Sequence, residues 1–171
     1  MIEYIIDLKN KENMRLYYAI KDRFGEKIDN KEEFVKDMSN KISILTQKYS
    51  YIIIPESSCS FIEDIVKNTG KPYSIIHKRD KTTLFNIMHT LKLHKKEIES
   101  QTQRFLEMGD SFKINKLKAN QRKKYIHYLF EHNNFQGKNA VIIDDSCFSG
   151  TTFEALKIAT GVENAIFVFS K

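Results

Sequence analysis

The chain is poor in the residues that cross-link or interrupt a polypeptide. Its 2 cysteines, Cys59 and Cys147, are far apart and form no Cys-x-x-Cys pair, which excludes a disulfide framework and a zinc knuckle. Only 2 prolines and 6 glycines occur in 171 residues, and no Pro-rich or Gly/Ser-rich stretch marks a linker between two bodies. No internal repeat is visible. Nowhere does the sequence approach the roughly 18 to 20 consecutive apolar residues of a membrane span, so no membrane contact is expected. Met1-Ile2-Glu3-Tyr4 lacks the basic region and apolar run of a secretory signal, and a cytoplasmic location is the expectation. The five histidines, His77, His89, His94, His127 and His132, do not make the i, i+4 pair with a nearby Glu that metallopeptidases use, and no metal role is expected of them.

What is present is a core and a charge. Hydrophobic residues make up 41% of the chain, with 12 Phe and 8 Tyr, enough for one folded domain with a real interior. Lys and Arg number 28 against 22 Asp and Glu, a net charge of +6. The excess is local, because residues 78–124 hold 13 basic against 5 acidic side chains. Such a block provides a field for an anion: nucleic acid, an acidic surface or a phosphorylated small molecule.

Hydrophobic periodicity organises the rest. Residues 4–8 read as a strand and 10–24 as a helix with Met14, Tyr17, Tyr18 and Ile20 on one stripe. Asn30 is placed to cap a helix over 31–49, where Phe34, Met38, Ile42 and Leu45 recur and Glu32 and Glu33 fill the first turn. Tyr51-Ile52-Ile53-Ile54, stopped by Pro55, is the unalternated run of a strand covered on both faces. Ser58 or Ser60 then caps a helix over 61–68 ended by Gly70, and a strand follows over 73–76. Residues 78–119 have little pattern beyond partial helical character over 91–108. A helix over 120–131, a strand over 140–143, a helix over 153–159 and a strand over 165–169 complete the chain. This order predicts an α/β fold with a mainly parallel sheet, whose ligands bind beyond the carboxyl ends of the strands.

The most informative segment is 140–152, AVIIDDSCFSGTT. Adjacent carboxylates at a strand end repel each other and cost stability unless something binds them; hydroxyls and magnesium are natural partners. Ser149, Gly150, Thr151 and Thr152 open the next helix. Their N–H groups and hydroxyls make a phosphate cradle at its positive end. Acceptors at one end of the loop and donors at the other suit a phosphorylated ribose.

These thirteen residues resemble the phosphoribosyl pyrophosphate (PRPP) signature of the type I phosphoribosyltransferases. The resemblance implies a three-layer α/β fold with a mainly parallel central sheet and a flexible hood. Residues 51–171 would form the core, with hood and flexible loop around 80–119, and residues 1–50 an N-terminal strand and helix addition packed on it. It implies that Asp144 and Asp145 are the catalytic pair, binding the ribose 2- and 3-hydroxyls directly or through magnesium's waters. Ser149, Gly150, Thr151 and Thr152 would bind the 5-phosphate, and Ser57, Ser58, Lys78 and Arg79 the pyrophosphate. Lys95, Lys96 and Arg104 are the candidate loop cations. Mg2+ would arrive with PRPP, with no dedicated protein cage. The implied reaction transfers the phosphoribosyl group to a nitrogen nucleophile and releases pyrophosphate, and a homodimer is allowed. Phe148 stands where the hypoxanthine-guanine enzymes carry an Asp, which disfavours a 6-oxopurine acceptor. The competing reading is a catalytically silent PRPP- or nucleotide-sensing domain that binds RNA or a protein. For Arg122-Lys123-Lys124 with Tyr125 and Tyr128, a solvated helix face with its aromatics turned inward is favoured over nucleic-acid contact.

Overall fold

The computed structural model describes residues 1–21, 30–57, 60–109, 114–135, 138–147 and 150–170. In chain order the elements are β1 (Ile2–Asp7), α1 (Lys11–Ile20), α2 (Lys31–Leu45), β2 (Tyr51–Pro55), α3 (Phe61–Lys67), β3 (Tyr73–Ile76), α4 (Lys81–Thr90) and α5 (Lys95–Glu107). A 3-10 turn (Ile114–Lys116), α6 (Ala119–Tyr125), β4 (Ala140–Cys147), α7 (Thr151–Thr160) and β5 (Ala165–Ser170) follow. The five strands form one sheet in the order β1-β5-β4-β2-β3, and every pair is parallel.

Helices cover both faces, giving three layers. On one face Leu84 and Met88 of α4, Phe105 of α5, Tyr125 of α6 and Phe153 and Leu156 of α7 pack against Ile53, Ile76, Ile142 and Phe167. On the other, Tyr17 and Ile20 of α1, Met38 and Ile42 of α2 and Phe61 and Ile65 of α3 pack against Ile52, Ile54, Val141, Ile143 and Ile166. The direction of each crossover accounts for this division. Connections that move toward β3 carry α1, α2 and α3, whereas those that move back toward β1 carry α4 to α7. Right-handed crossovers in opposite directions place their helices on opposite faces.

The apolar strand runs are thus strands buried on both sides, as their lack of alternation predicts. Pro55 closes β2 instead of stopping it one residue earlier. It pairs with Ile76 at the last position, and Glu56 N–H resumes the ladder to Ile76 O at 2.9 Å. Asn30 caps α2 as expected, accepting from Glu33 N–H at 3.2 Å. Ser60 does not cap α3, because its hydroxyl donates to Asp64 Oδ2 at 2.8 Å; Ser58 lies outside the described residues.

Two larger differences concern the ends of the expected core. The strand and helices expected as an addition packed on the core join the sheet and its cover: β1 pairs with β5, Leu8 N–H donates to Ser170 O at 2.7 Å, and α1 and α2 form one layer with α3. The stretch expected as hood and flexible loop contains α4 and α5, whose Leu84, Met88 and Phe105 are buried in the core. Its helices escape the periodicity because α5 buries only Gln101 and Phe105. Asp80 caps α4 by accepting from Thr83 N–H at 2.9 Å, a start signal present in the sequence. α6 stops at Tyr125, short of the expected 131, and the following segment bonds to the chain after β3. Arg79 N–H donates to Leu129 O at 3.0 Å and Glu131 N–H to His77 O at 3.1 Å. Tertiary backbone hydrogen bonds there override helix propensity.

The buried Tyr125 hydroxyl ties α6 to α5 by donating to Gln101 Oε1 at 2.6 Å. Tyr125→Phe leaves that buried acceptor without this donor and should cost about 1 to 2 kcal/mol in urea unfolding. An unchanged midpoint would show that the contact contributes nothing.

Candidate functional site

In an open parallel sheet the ligand crevice lies where the connections diverge. Here β2 leads outward to β3, and its neighbour β4 leads the other way to β5. The switch point therefore falls between the carboxyl ends of β2 and β4. Glu56 and Ser57 follow β2, His77, Lys78 and Arg79 follow β3, and β4 ends in Asp144, Asp145, Ser146 and Cys147 before Gly150 and α7.

Strand β4 runs four residues beyond its expected end and takes both aspartates into the sheet, with Asp144 opposite Phe167. Alternation puts Ala140 and Ile142 in the first core and Val141 and Ile143 in the second, so Asp144 follows the first and Asp145 the second. The alternation then breaks across three strands. Ile5 and Ile6 of β1 and Val168 and Phe169 of β5 all pack in the second core; Asp145 of β4 meets Lys21, just past α1, and Ser146 meets Tyr17 of α1. Cys147 returns to the first core.

Asp144 is 8% exposed, and one carboxylate oxygen, Oδ1, accepts the Asp145 N–H at 2.7 Å. Burial pushes its pKa up to about 6, while the positive charges of Lys21 and Lys78 pull the other way. Asp145 is also buried. Its Oδ2 forms an ion pair with the Lys21 ammonium, and its Oδ1 accepts the Ser146 hydroxyl at 2.7 Å. Hydroxyls and magnesium are the partners expected for the two carboxylates; Lys21 adds one not expected, a cation from the chain itself. No pattern pointed to Lys21, which is 124 positions from Asp145 and reaches it only because α1 packs on β4.

Cys147 is a partly buried thiol whose pKa burial raises; the negative charge of Asp144 adds to the rise, and bonds from Gly150 N–H and the Tyr4 hydroxyl oppose it. It is thereby kept from the thiolate form a nucleophile needs. Gly150 opens α7 with φ +69°, a left-handed conformation that suits glycine, and the space where a Cβ would stand is open. Thr151 and Thr152 begin the helix and are half-buried. Ser149 and Phe148 lie outside the described residues.

On the β2–β3 side, Ser57 is exposed at the crevice. Lys78 is exposed, donates its N–H to Glu56 Oε2 at 2.9 Å, and its positive charge works against the rise in the Asp144 pKa. Arg79 has a buried Nε with no hydrogen-bond partner. Glu56 was not singled out in the sequence. Besides the Lys78 N–H it meets His77 Nδ1 at 3.5 Å. It shares with Ser57, His77 and Glu63 a cleft of about 230 Å³. Of the two carboxylates in its lining, Glu63 is ion-paired with Lys67 at 2.9 Å and Glu56 faces His77. The loop-cation candidates sit on a regular helix: Lys95 and Lys96 occupy the first turn of α5, and Arg104 Nη1 donates to Lys116 O at 2.7 Å. Among the described residues, no three His, Cys, Asp or Glu side chains group to hold a metal ion, and no helix is long and apolar enough to cross a membrane.

Fold and crevice together define an all-parallel α/β protein with a switch-point site. No protein-family profile and no curated protein matches the chain. Its structure is similar to two crystal structures of a hypoxanthine phosphoribosyltransferase from Staphylococcus aureus, in tetragonal and orthorhombic crystals, each with 13% identity. The TM-scores are 0.41 and 0.38, over 84% of this chain and 64% of that chain. The chain thus spans less than two thirds of the length of those proteins.

Proposed function

We propose that this protein binds PRPP with its magnesium at the β2/β4 switch point and transfers the phosphoribosyl group to a nitrogen nucleophile. The observation that carries the reading is where the described residues on either side of 148–149 fall: Asp144 and Asp145 lie near the carboxyl end of β4 at the divergence of the sheet, and Gly150 opens the N-terminus of α7. Sugar hydroxyls would meet Asp144 and Asp145, and the 5-phosphate the amides and hydroxyls of Ser149, Gly150, Thr151 and Thr152. Lys78 and Arg79, with Ser57 and Ser58, are the groups assigned to pyrophosphate. The buried unpartnered Nε of Arg79 is a donor such an anion would use.

In the reaction the bond from the anomeric carbon to pyrophosphate oxygen breaks, the nitrogen–carbon bond forms, and the electron pair leaves with pyrophosphate. The transition state is oxocarbenium-like, so the protein's part is orientation and neutralisation of the leaving group. Asp144, whose carboxyl burial raises to about 6, is the crevice group suited to hold the proton the nucleophile gives up. Magnesium is part of the substrate and offsets pyrophosphate charge.

A sensing domain that keeps the pocket without turnover is the second reading, favoured by the ion pair that already engages Asp145. Titration calorimetry with PRPP and magnesium tests what the two share. Asp144→Asn/Asp145→Asn should bind about tenfold more weakly than wild type or worse; equal affinity would remove both readings. Offering nucleobases and orotate separates them. Pyrophosphate release supports transfer, and binding without release supports sensing.

A further inference from the structure

A divalent magnesium ion engages carboxylates through oxygen lone pairs and gives up its waters reluctantly. Asp145 offers it a poor reception. Its Oδ2 holds the Lys21 ammonium and its Oδ1 accepts from Ser146, with the Lys21 and Asp145 side chains only 12% and 13% exposed. Lys21 is fixed by the helix it follows. Its N–H closes α1 on Tyr17 O at 3.2 Å, and Tyr17, one turn earlier, packs edge-on against Phe169 at 5.3 Å and lies 3.5 Å from Ser146 Oγ. Packing of α1 on the second core therefore sets the ammonium on Asp145. The neighbouring Asp144 is buried and already accepts the Asp145 N–H.

We propose that Lys21 is the resident counter-ion of this acidic pair, holding on Asp145 the place a divalent cation would take. An anionic sugar phosphate then meets a protein ammonium at that carboxylate, and magnesium is held from the pyrophosphate side alone. The ligand class rests on the PRPP reading above; the cation competition does not.

Mn2+ alone, titrated into the protein and followed by the electron paramagnetic resonance of the free ion, tests the competition without PRPP. Lys21→Met, which clears Asp145 Oδ2, should bind Mn2+ about tenfold more tightly than wild type, and Lys21→Met/Asp145→Asn should lose the gain. Equal Mn2+ affinity in wild type and Lys21→Met overturns the proposal. If circular dichroism shows Lys21→Met unfolded, Lys21→Gln, which removes the ammonium charge from Asp145, takes its place and must bind Mn2+ more tightly than wild type. Calorimetry with PRPP in EDTA and in magnesium gives the second readout. Removal of magnesium should weaken PRPP binding by Lys21→Met about tenfold more than it weakens binding by wild type. An equal magnesium dependence in the two proteins overturns the counter-ion role and leaves the PRPP reading standing. A wild type that binds PRPP in neither condition overturns that reading, and the Mn2+ result then decides the role of Lys21 by itself.

Discussion

Asp144→Asn should stabilise the protein by about 3 kcal/mol near pH 7.5, the amount by which a carboxyl held at about 6 instead of its ordinary value of 3.8 penalises the folded state. The sign follows from proton binding. Below about pH 4 both folded and unfolded states carry the proton and there is no penalty. Between there and pH 6 the unfolded chain loses its proton while the folded one keeps it, so stability falls as pH rises, and above that the full penalty applies. Asparagine keeps an oxygen for the Asp145 N–H and removes the charge. Its advantage should therefore be complete near pH 7.5, with the midpoint of thermal unfolding raised by roughly 5 to 10 °C, and should vanish near pH 4. Urea unfolding at the two pH values measures it. A loss of stability of equal size at both would mean that the side chain matters here for something other than its charge. A carboxylate kept at this cost in a crevice is the pattern of a working group, and the stabilised variant should bind PRPP less well.

Lys21→Met should destabilise the protein by about 3 kcal/mol, because it leaves the buried Asp145 carboxylate with the Ser146 hydroxyl but without its cation. Removing the charge as well relieves most of this. Lys21→Met/Asp145→Asn is expected to be more stable than Lys21→Met alone, with a coupling of about 2 kcal/mol in the double-mutant cycle. Urea denaturation of the four proteins provides the test. Strictly additive effects would show a pair screened by water, worth no more than a surface contact.

These two residues mark the limit of what the sequence makes legible. The aspartates were visible because they follow an apolar run and precede Ser149, Gly150, Thr151 and Thr152; both features are local. Their states were not. Asp144 is raised in pKa by burial and Asp145 is ion-paired, although the two are adjacent and chemically identical. The difference comes from the elements packed around each. The same holds for Glu56, whose carboxylate meets His77 and the Lys78 N–H only once β2 and β3 lie side by side. Helices α4 and α5 were hard to see for a related reason. Their buried stripe is narrow and includes the polar Gln101, whose amide oxygen accepts from the Tyr125 hydroxyl and whose amide nitrogen donates to Glu97 Oε1 at 3.3 Å.

The sequence by itself determined the central strands and the parallel α/β class. Unalternated runs such as Tyr51-Ile52-Ile53-Ile54 and Ala140-Val141-Ile142-Ile143 can only be satisfied by burial on both faces, which demands helices on both sides of a parallel sheet. Tertiary structure alone decided strand order and the pairing of β1 with β5. It also decided the row where alternation breaks and the arrival of Lys21 at Asp145. Hydrophobic period and capping act within a few residues of chain, whereas a charge is set by whatever the fold carries to it through space, and that distance is not written in any local pattern.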